Sequence, residues 1–456
     1  RDQWTLDTGA GFFTNFYPTL RSHLDQLGLQ DQALALTRTS TLVREGTSSP
    51  LTLGNAALEQ AGEPTPTPGL FAVLAAVRSL LLFRWLRSSL SDAERDALCK
   101  LYPVLIAIVT TVAPSMVLLY VVRGSIQARD LDSPNAGTAH IFAAQGLAMV
   151  GNLIPRVRRS ERRAIERATQ IAERHDDPWT FGVLHHVRSI IEFNDGSWRA
   201  AQTSVDQALA EFARSGDMTI GVLSILLRVM HTYNTNPVPQ SLHWAQRAEV
   251  LAVRQRAQDF ACNAGALRAV LLARLNDPSA EPLVDSLAAR LDMIEEASIA
   301  YSLANGYLAE AMWELGRYQQ ALEYANVACA GVGRLPTMSF MLDPFLTRLE
   351  ILLSLSTARP SEYWRLRREV AIVRFQVRKA PSALARWRLL AGRAALLAGR
   401  PDKARQHLEH VIATVTVHRQ TQAAMQAHVL LAGLADRGGV EHLQRDAALD
   451  QLVLEH

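Results

Sequence analysis

The chain has little of what disulfide-rich, metal-binding or secreted proteins are built on. Its 456 residues include only three cysteines, and no two of them are closely spaced. That usage argues against a disulfide scaffold or a zinc site and favours a reducing compartment, which we take to be the cytoplasm. No secretory signal is visible, and strand-like alternation of apolar and polar residues is nearly absent, so an all-α protein is expected.

The short motifs of catalysis are missing as well. There is no GxxxxGK[ST] phosphate loop, no GxGxxG after a strand-like run, no HExxH and no GxSxG. His407, Glu409 and His410 are spaced so that they could bind a metal ion. However, they flank an apolar helical stripe, so we expect them at its edge or in solvent. Asp176 and Asp177 lack the third aspartate of a diphosphate site and are expected to cap a helix. We therefore predict no catalytic residue, metal or cofactor.

The net charge of the chain is small, but arginine is concentrated in two short runs. The net charge of +3 is small for this length, so no general attraction to nucleic acid or an anionic membrane follows. Arginines crowd a helix start at 156–167 and alternate with aromatic residues at 363–379. Such a mixture could bind single-stranded nucleic acid, whereas a solvated helix face or an acidic partner is the simpler interpretation. The basic-patch residues are Arg158, Arg159, Arg162, Arg365, Arg367 and Arg368.

What the chain does have is an apolar pattern that recurs about every 40 residues. Residues at offsets 0, 4, 7, 8 and 11 from a small or apolar start are apolar, and these offsets share one face of an α-helix. The four full copies start at Ala201, Ala280, Ala321 and Ala404, and looser copies start at Ala164, Trp244 and Leu366. A fixed period of helices that are buried along one stripe predicts a solenoid of stacked helix pairs.

Glycine and proline divide this array into pairs, because they end one helix and start the next. The turns are expected near Pro155, Gly196, Pro237–Pro239, Asn276–Pro278, Gly316, Pro360 and Gly399. Residues 196–201, 316–321 and 399–404 share G-x-[W/Y/P]-x-x-A. This pattern resembles the turn of the tetratricopeptide repeat, and 307–328 is its best copy.

The resemblance implies a right-handed superhelical array of antiparallel helix pairs, with a partner bound on the concave face. The period of about 40 residues exceeds the family's ~34, so armadillo- or HEAT-like stacking stays open. Residues 138–217 also resemble the helical repeats of large bacterial signalling proteins, where a kinase or nucleotide cyclase is joined to a signalling ATPase module. That wider resemblance implies a non-catalytic scaffold or sensor segment, whose protein or peptide partner could be another domain of the parent chain.

The tetratricopeptide register also assigns a concave face. Trp313 falls there between Glu310 and Glu314, which suits a groove for a basic or amphipathic peptide with the ring as anchor. Packing of Trp313 against the neighbouring repeat is the alternative. The predicted partner-binding residues are His186, Asn194, Glu310, Trp313, Glu314 and Arg388.

The rest of the chain completes a domain plan. We expect an N-terminal helical segment at 1–45, a Pro/Gly/Ser/Thr linker at 46–69, an apolar helical region packed on the array at 70–137, the repeats at 138–453, and a vector or tag remnant at 454–456. Leu101 to Val122 carries no charge and is long enough to span a membrane, but we favour two buried helices broken near Pro103 and Pro114. Besides a protein-binding scaffold and a nucleic-acid-binding solenoid, the chain could be an all-helical enzyme or small-ligand sensor. Its pocket would then lie between this region and the first repeats.

Overall fold

The fold is an array of α-helices, seen in a computed structural model. The structure describes residues 90–112, 117–129, 131–150, 155–216, 219–235, 238–255, 257–291, 294, 298–332, 339–356, 360–378, 380–418 and 421–435. The expected N-terminal helical segment, the 46–69 linker and the tag remnant lie outside these residues. The domain boundaries at 45, 69 and 453 lie outside them too and stay predictions.

Seventeen α-helices and no strand make up the described part of the chain. They are α1 Asp92–Val112, α2 Val117–Ala128, α3 Ala136–Ala148, α4 Pro155–His175, α5 Pro178–Asn194, α6 Trp198–Ser215, α7 Thr219–Thr235, α8 Val238–Arg254, α9 Gln258–Arg274, α10 Ala280–Arg290, α11 Ile299–Glu314, α12 Tyr318–Val332, α13 Asp343–Leu355, α14 Pro360–Val377, α15 Leu384–Leu397, α16 Pro401–His418 and α17 Thr421–Ala435. Short 3₁₀ turns lie at Ser339–Met341 and Pro381–Ala383.

Consecutive helices form pairs, and the pairs stack. Each odd-numbered helix, here called an A helix, contacts the next A helix along the chain from α1 to α17. The even-numbered B helices pack against the A helices on either side of them. Because the connections are short, paired helices run antiparallel. The expected all-α array of antiparallel helix pairs is confirmed.

The apolar stripe of the sequence is the buried face of the B helices. In α6, Ala201, Val205, Ala208 and Phe212 are all buried, and the corresponding positions of the full copies in α10, α12 and α16 are buried wherever their side chains are described. The position at offset 8 is less enclosed, since Leu209, Ala288 and Ile412 are only half-buried. The looser copy that the sequence starts at Trp244, in α8, is placed three residues too far along the chain. Its buried stripe is Ser241, Ala245, Ala248 and Ala252, while Trp244 is only half-buried.

Three glycines make the turns from an A helix to its B helix. Gly196, Gly316 and Gly399 have φ values of 79°, 75° and 66°, a left-handed conformation that costs a residue without a Cβ little. Asn276 takes the corresponding place between α9 and α10 with φ 52°. Asp177 caps α5 as expected, since its Oδ2 accepts a hydrogen bond from the Thr180 N–H at 3.0 Å.

The apolar window of the sequence forms two helices, α1 and α2, that pack on each other and on α3. Pro103 lies inside α1, so the break expected there is wrong. Because proline has no N–H, the Cys99 carbonyl lacks its usual helical donor. Gly137 of α3 packs on that oxygen so closely that a Cβ would clash with it. Among the described residues, no helix combines the length and apolar character needed to cross a bilayer.

The superhelix is tight enough for distant repeats to meet. α1 contacts α11, and α5 contacts both 3₁₀ turns. A single apolar core extends from Ile190 to Ala391, and a second core joins α1 through α5. Helices of the first repeats therefore pack against elements that come much later in the chain.

Candidate functional site

A cluster of charged side chains lies on the inner side of five successive A helices, α7 to α15. We call it the axial cluster. Its members are Tyr233, Arg274, Glu310, Glu314, Asp343, Thr347, Glu350, Arg386 and Arg393. Most of its contacts join residues 36 to 43 positions apart, so the repeat period sets equivalent positions of adjacent A helices against each other.

Glu310 is the centre of the cluster and is only 2% exposed. Its Oε1 accepts hydrogen bonds from Arg274 Nη2 at 2.7 Å, from Arg386 Nη2 at 3.5 Å and from the Tyr233 hydroxyl. Burial by itself raises the pKa of Glu310, but Arg386 and Arg274, with the hydrogen bond from Tyr233, lower it below its usual value. Glu310 is therefore held as a carboxylate.

Glu314 and Asp343 behave in the opposite way. Burial raises the pKa of Glu314 to about 7, and repulsion from the Glu310 charge adds to that rise. Arg274, whose Nε donates to Glu314 at 2.9 Å, lowers the pKa but does not offset the rise. Burial likewise raises the pKa of Asp343 to about 7, against the attraction of Arg386. The cluster holds four carboxyl groups and three arginines. Its charges balance when one carboxyl keeps its proton.

Arg386 and Glu350 continue the cluster into the later repeats. Arg386 Nη2 donates to Glu350 Oε2 at 3.0 Å and to Thr347 Oγ1 at 3.1 Å. Arg393 Nη1 donates to the other oxygen of Glu350 at 3.3 Å. Glu314, Arg386 and Arg393 have side chains 18%, 19% and 25% exposed, so this edge of the cluster is reached by solvent.

Trp313 lies beside the cluster at the end of α11. It packs against the main core, and its Nε1 donates to Ser354 Oγ of α13 at 3.4 Å. The ring therefore contacts the neighbouring repeat and stays half-buried. Its role as a partner anchor remains a prediction.

The other predicted partner-binding residues are not part of this cluster. His186 Nδ1 lies 2.9 Å from Ser224 Oγ, and burial lowers its pKa to about 4. Asn194 is fully buried at the end of α5. Arg388 packs on the Trp387 ring. Their roles in binding stay predictions.

The two basic runs lie on B helices. Arg158 is paired with Asp195 at 3.8 Å, and Arg159 and Arg162 are exposed on α4. Arg367 and Arg368 are exposed on α14, while the side chain of Arg365 lies outside the described residues.

A surface cleft of about 200 Å³ opens between α4 and α5. It is lined by Glu161, Arg162, Ile165, Glu166, Arg188, Ile191 and Glu192. Burial raises the pKa of Glu161 to about 7. The small-ligand alternative placed its pocket nearer the N-terminus, between residues 70–122 and the first repeats. Among the described residues, no three His, Cys, Asp or Glu side chains are grouped so that they could hold a metal ion.

Sequence reasoning missed Tyr233, Arg274 and Arg386. The signal that could have found them is a basic or phenolic residue inside an otherwise apolar A helix, one or two repeat periods away from Glu310. Arg274 lies 36 residues before Glu310, and Arg386 lies 76 after it.

Comparison with known proteins identifies the fold. The solved structure of a Rap protein complexed with Competence and Sporulation Factor superposes with a TM-score of 0.53 at 11% identity, over 80% of this chain and 97% of that one. Yeast Tom70 gives a TM-score of 0.37 at 13% identity, over 94% of this chain and 92% of that one. No protein-family model and no curated protein matches the sequence. At 11% identity, the likeness to Rap shows the fold alone, a tetratricopeptide-like α-solenoid.

Proposed function

We propose that this chain is a non-catalytic scaffold or sensor module that binds a peptide, or an extended segment of a protein, along the inner side of its A helices. The observation that carries the proposal is the axial cluster. Replacing buried ion pairs by well-packed apolar residues is often neutral or stabilising. A stable stack therefore does not need charges on successive A helices, and recognition of a partner gives a reason for them.

The solvent-reached edge of the cluster defines the chemistry of the partner. Glu314, Arg386 and Arg393 present charges of both signs there, and the half-buried ring of Trp313 lies at the same end of α11. A partner segment with an apolar anchor and polar or basic neighbours fits this edge, because a buried aromatic anchor and charge-assisted hydrogen bonds together give affinity and register.

The proposal extends to the parent protein. The resemblance of residues 138–217 to bacterial signalling repeats supports a cytoplasmic module of a multidomain signalling protein, and its partner could be another domain of that chain. The solved Rap structure contains Competence and Sporulation Factor, so a chain of this fold can hold a bound partner.

Selection from a phage-displayed library of random linear peptides, followed by calorimetry with the selected peptides, tests the proposal. Trp313→Ala and Arg393→Ala should each weaken binding at least about tenfold, the loss expected when an interface anchor or a charge-assisted contact is removed. The matched controls Trp244→Ala and Arg254→Ala, both on the B helix α8, should change affinity less than about twofold. Peptides that bind the inner-side variants as tightly as the wild type would refute the assignment.

A further inference from the structure

A second group of basic side chains surrounds one indole ring at the other end of the array. Trp387 of α15 is buried, and its Nε1 donates to the Val370 carbonyl of α14 at 3.2 Å, which fixes the ring between the two helices. The guanidinium carbons of Arg388 and Arg374 lie 5.2 Å and 6.0 Å from the ring centroid. The His407 ring of α16 meets it edge-on at 5.7 Å. Three helices thus bring three basic groups to one place.

The hydrogen bonding of this group leaves donors unused. Arg388 Nη1 lies 3.3 Å from His407 Nδ1. Since a guanidinium can only donate, Nδ1 accepts, and the proton of the neutral imidazole is on Nε2, where it is a donor. Arg388 Nε is buried and has no hydrogen-bond partner among the described residues. A buried donor without an acceptor costs about 1–3 kcal/mol, so the chain's own acceptors do not fully satisfy this guanidinium.

The charges of this group are not compensated as those of the axial cluster are. Burial lowers the pKa of Arg388, and so does Arg374. Burial also lowers the pKa of His407, with further lowering by Arg388, Arg374, His410 and Lys403. Every charged group that shifts these two is basic. Like charges at one site disfavour each other's charged forms, and a bound anion removes that repulsion.

We infer that Arg374, Arg388 and His407 form a binding site for a phosphate monoester. Two guanidinium groups and an imidazole N–H match a dianion that has three strong acceptor oxygens. Phe375, which is 61% exposed next to Arg374, offers an apolar surface for the organic group that carries the phosphate. The site is on α14, α15 and α16 and does not depend on the peptide-binding proposal.

Thermal unfolding and calorimetry of the whole chain test the site, with inorganic phosphate, a phosphoserine peptide and its unphosphorylated form as probes at constant ionic strength. Phosphate and the phosphopeptide should raise the melting temperature, and chloride and the unphosphorylated peptide should not. A phosphopeptide that binds tighter than phosphate assigns the source to a protein, and equal affinity assigns it to a small molecule.

The variants Arg388→Gln and Arg374→Gln should each weaken phosphate binding at least about tenfold, as expected for the loss of a charge-assisted contact. Arg405→Gln, on the exposed face of α16, is the matched control and should bind like the wild type. Thermal unfolding without phosphate checks that each variant is folded before its binding is measured.

Three results would overturn the inference. They are stabilisation by phosphate no greater than by chloride, an equal loss of binding in Arg405→Gln, and tighter binding of a single-stranded oligonucleotide than of any monoester probe. The last result would assign the patch to nucleic acid, whose phosphates are monoanionic diesters.

Discussion

The substitution Glu310→Gln tests whether the axial cluster holds the A helices together. It keeps the shape of the side chain and removes its charge. Tyr233, Arg274 and Arg386 all donate to the same oxygen, Oε1. A neutral amide oxygen can still accept hydrogen bonds, but it no longer compensates the two guanidinium groups.

The expected cost follows from what each arginine retains. Removing one member of a buried ion pair costs about 3–5 kcal/mol, because the other charge is left uncompensated. Arg274 keeps Glu314 at 2.9 Å, and Arg386 keeps Glu350 at 3.0 Å. We therefore expect the lower end of that range, about 3 kcal/mol.

Urea unfolding, followed by far-ultraviolet circular dichroism, measures the loss, and hydrogen–deuterium exchange locates it. Exchange should become faster in α9, α11 and α15 and stay unchanged in α3 and α4, because neighbouring repeats share stability mainly with each other. Glu323→Gln, on the exposed side of α12, is the control and should cost less than about 0.5 kcal/mol. A loss below about 1 kcal/mol for Glu310→Gln, the value of a surface ion pair, would refute the reasoning.

Three further outcomes are expected. The pKa of Glu314 is raised from its usual 4.5 to about 7. Its contribution to the free energy of unfolding is therefore complete below about pH 4.5 and is lost as the pH rises through about 7. Glu314→Gln should make the free energy of unfolding, measured by urea titration at several pH values, fall less steeply over this range. Gly137→Ala should destabilise by about 2 kcal/mol or more through its clash with a backbone carbonyl, whereas Gly433→Ala, with no atom within 4 Å, should be neutral or stabilising by up to about 1 kcal/mol in thermal melts. Iodoacetamide should label no cysteine of the folded protein at neutral pH and all of them in urea, because burial raises the thiol pKa values to about 12, 11 and 12 for Cys99, Cys262 and Cys329.

The sequence predicts the B helices far better than the A helices, and the reason is burial. A B helix such as α6 covers the array from outside, so only one stripe is apolar and the periodicity is visible. A helices are enclosed by neighbours on nearly every side. In α9 all residues from Ala261 to Ala273 except Arg268 are buried, and in α11 all from Ala300 to Met312 except Tyr301. Such helices have no polar face, and only the glycine, asparagine and proline turns at their ends locate them.

The candidate site was predictable in part for a related reason. The repeat register places Glu310 and Glu314 on the inner side of α11, and the structure brings both into the axial cluster. The register of a single repeat does not predict the superhelical pitch. It is the pitch that determines which repeats come into contact across the axis. Tyr233 and Arg386, 77 and 76 residues away from Glu310, reach it only because the array is tightly wound.

The charge count of the cluster connects this packing to the proposed partner. The cluster has four carboxyl groups and three arginines. Near neutral pH, a proton on Glu314 or Asp343 neutralises the extra negative charge. Glu310 is sealed from solvent, so a partner meets the edge formed by Glu314 and the later arginines. A lysine or arginine of the partner placed at Glu314 would supply the missing positive charge and displace the proton. Under the proposed function, recognition of a basic segment would follow from the imbalance of charge inside the array, rather than from a free acidic surface.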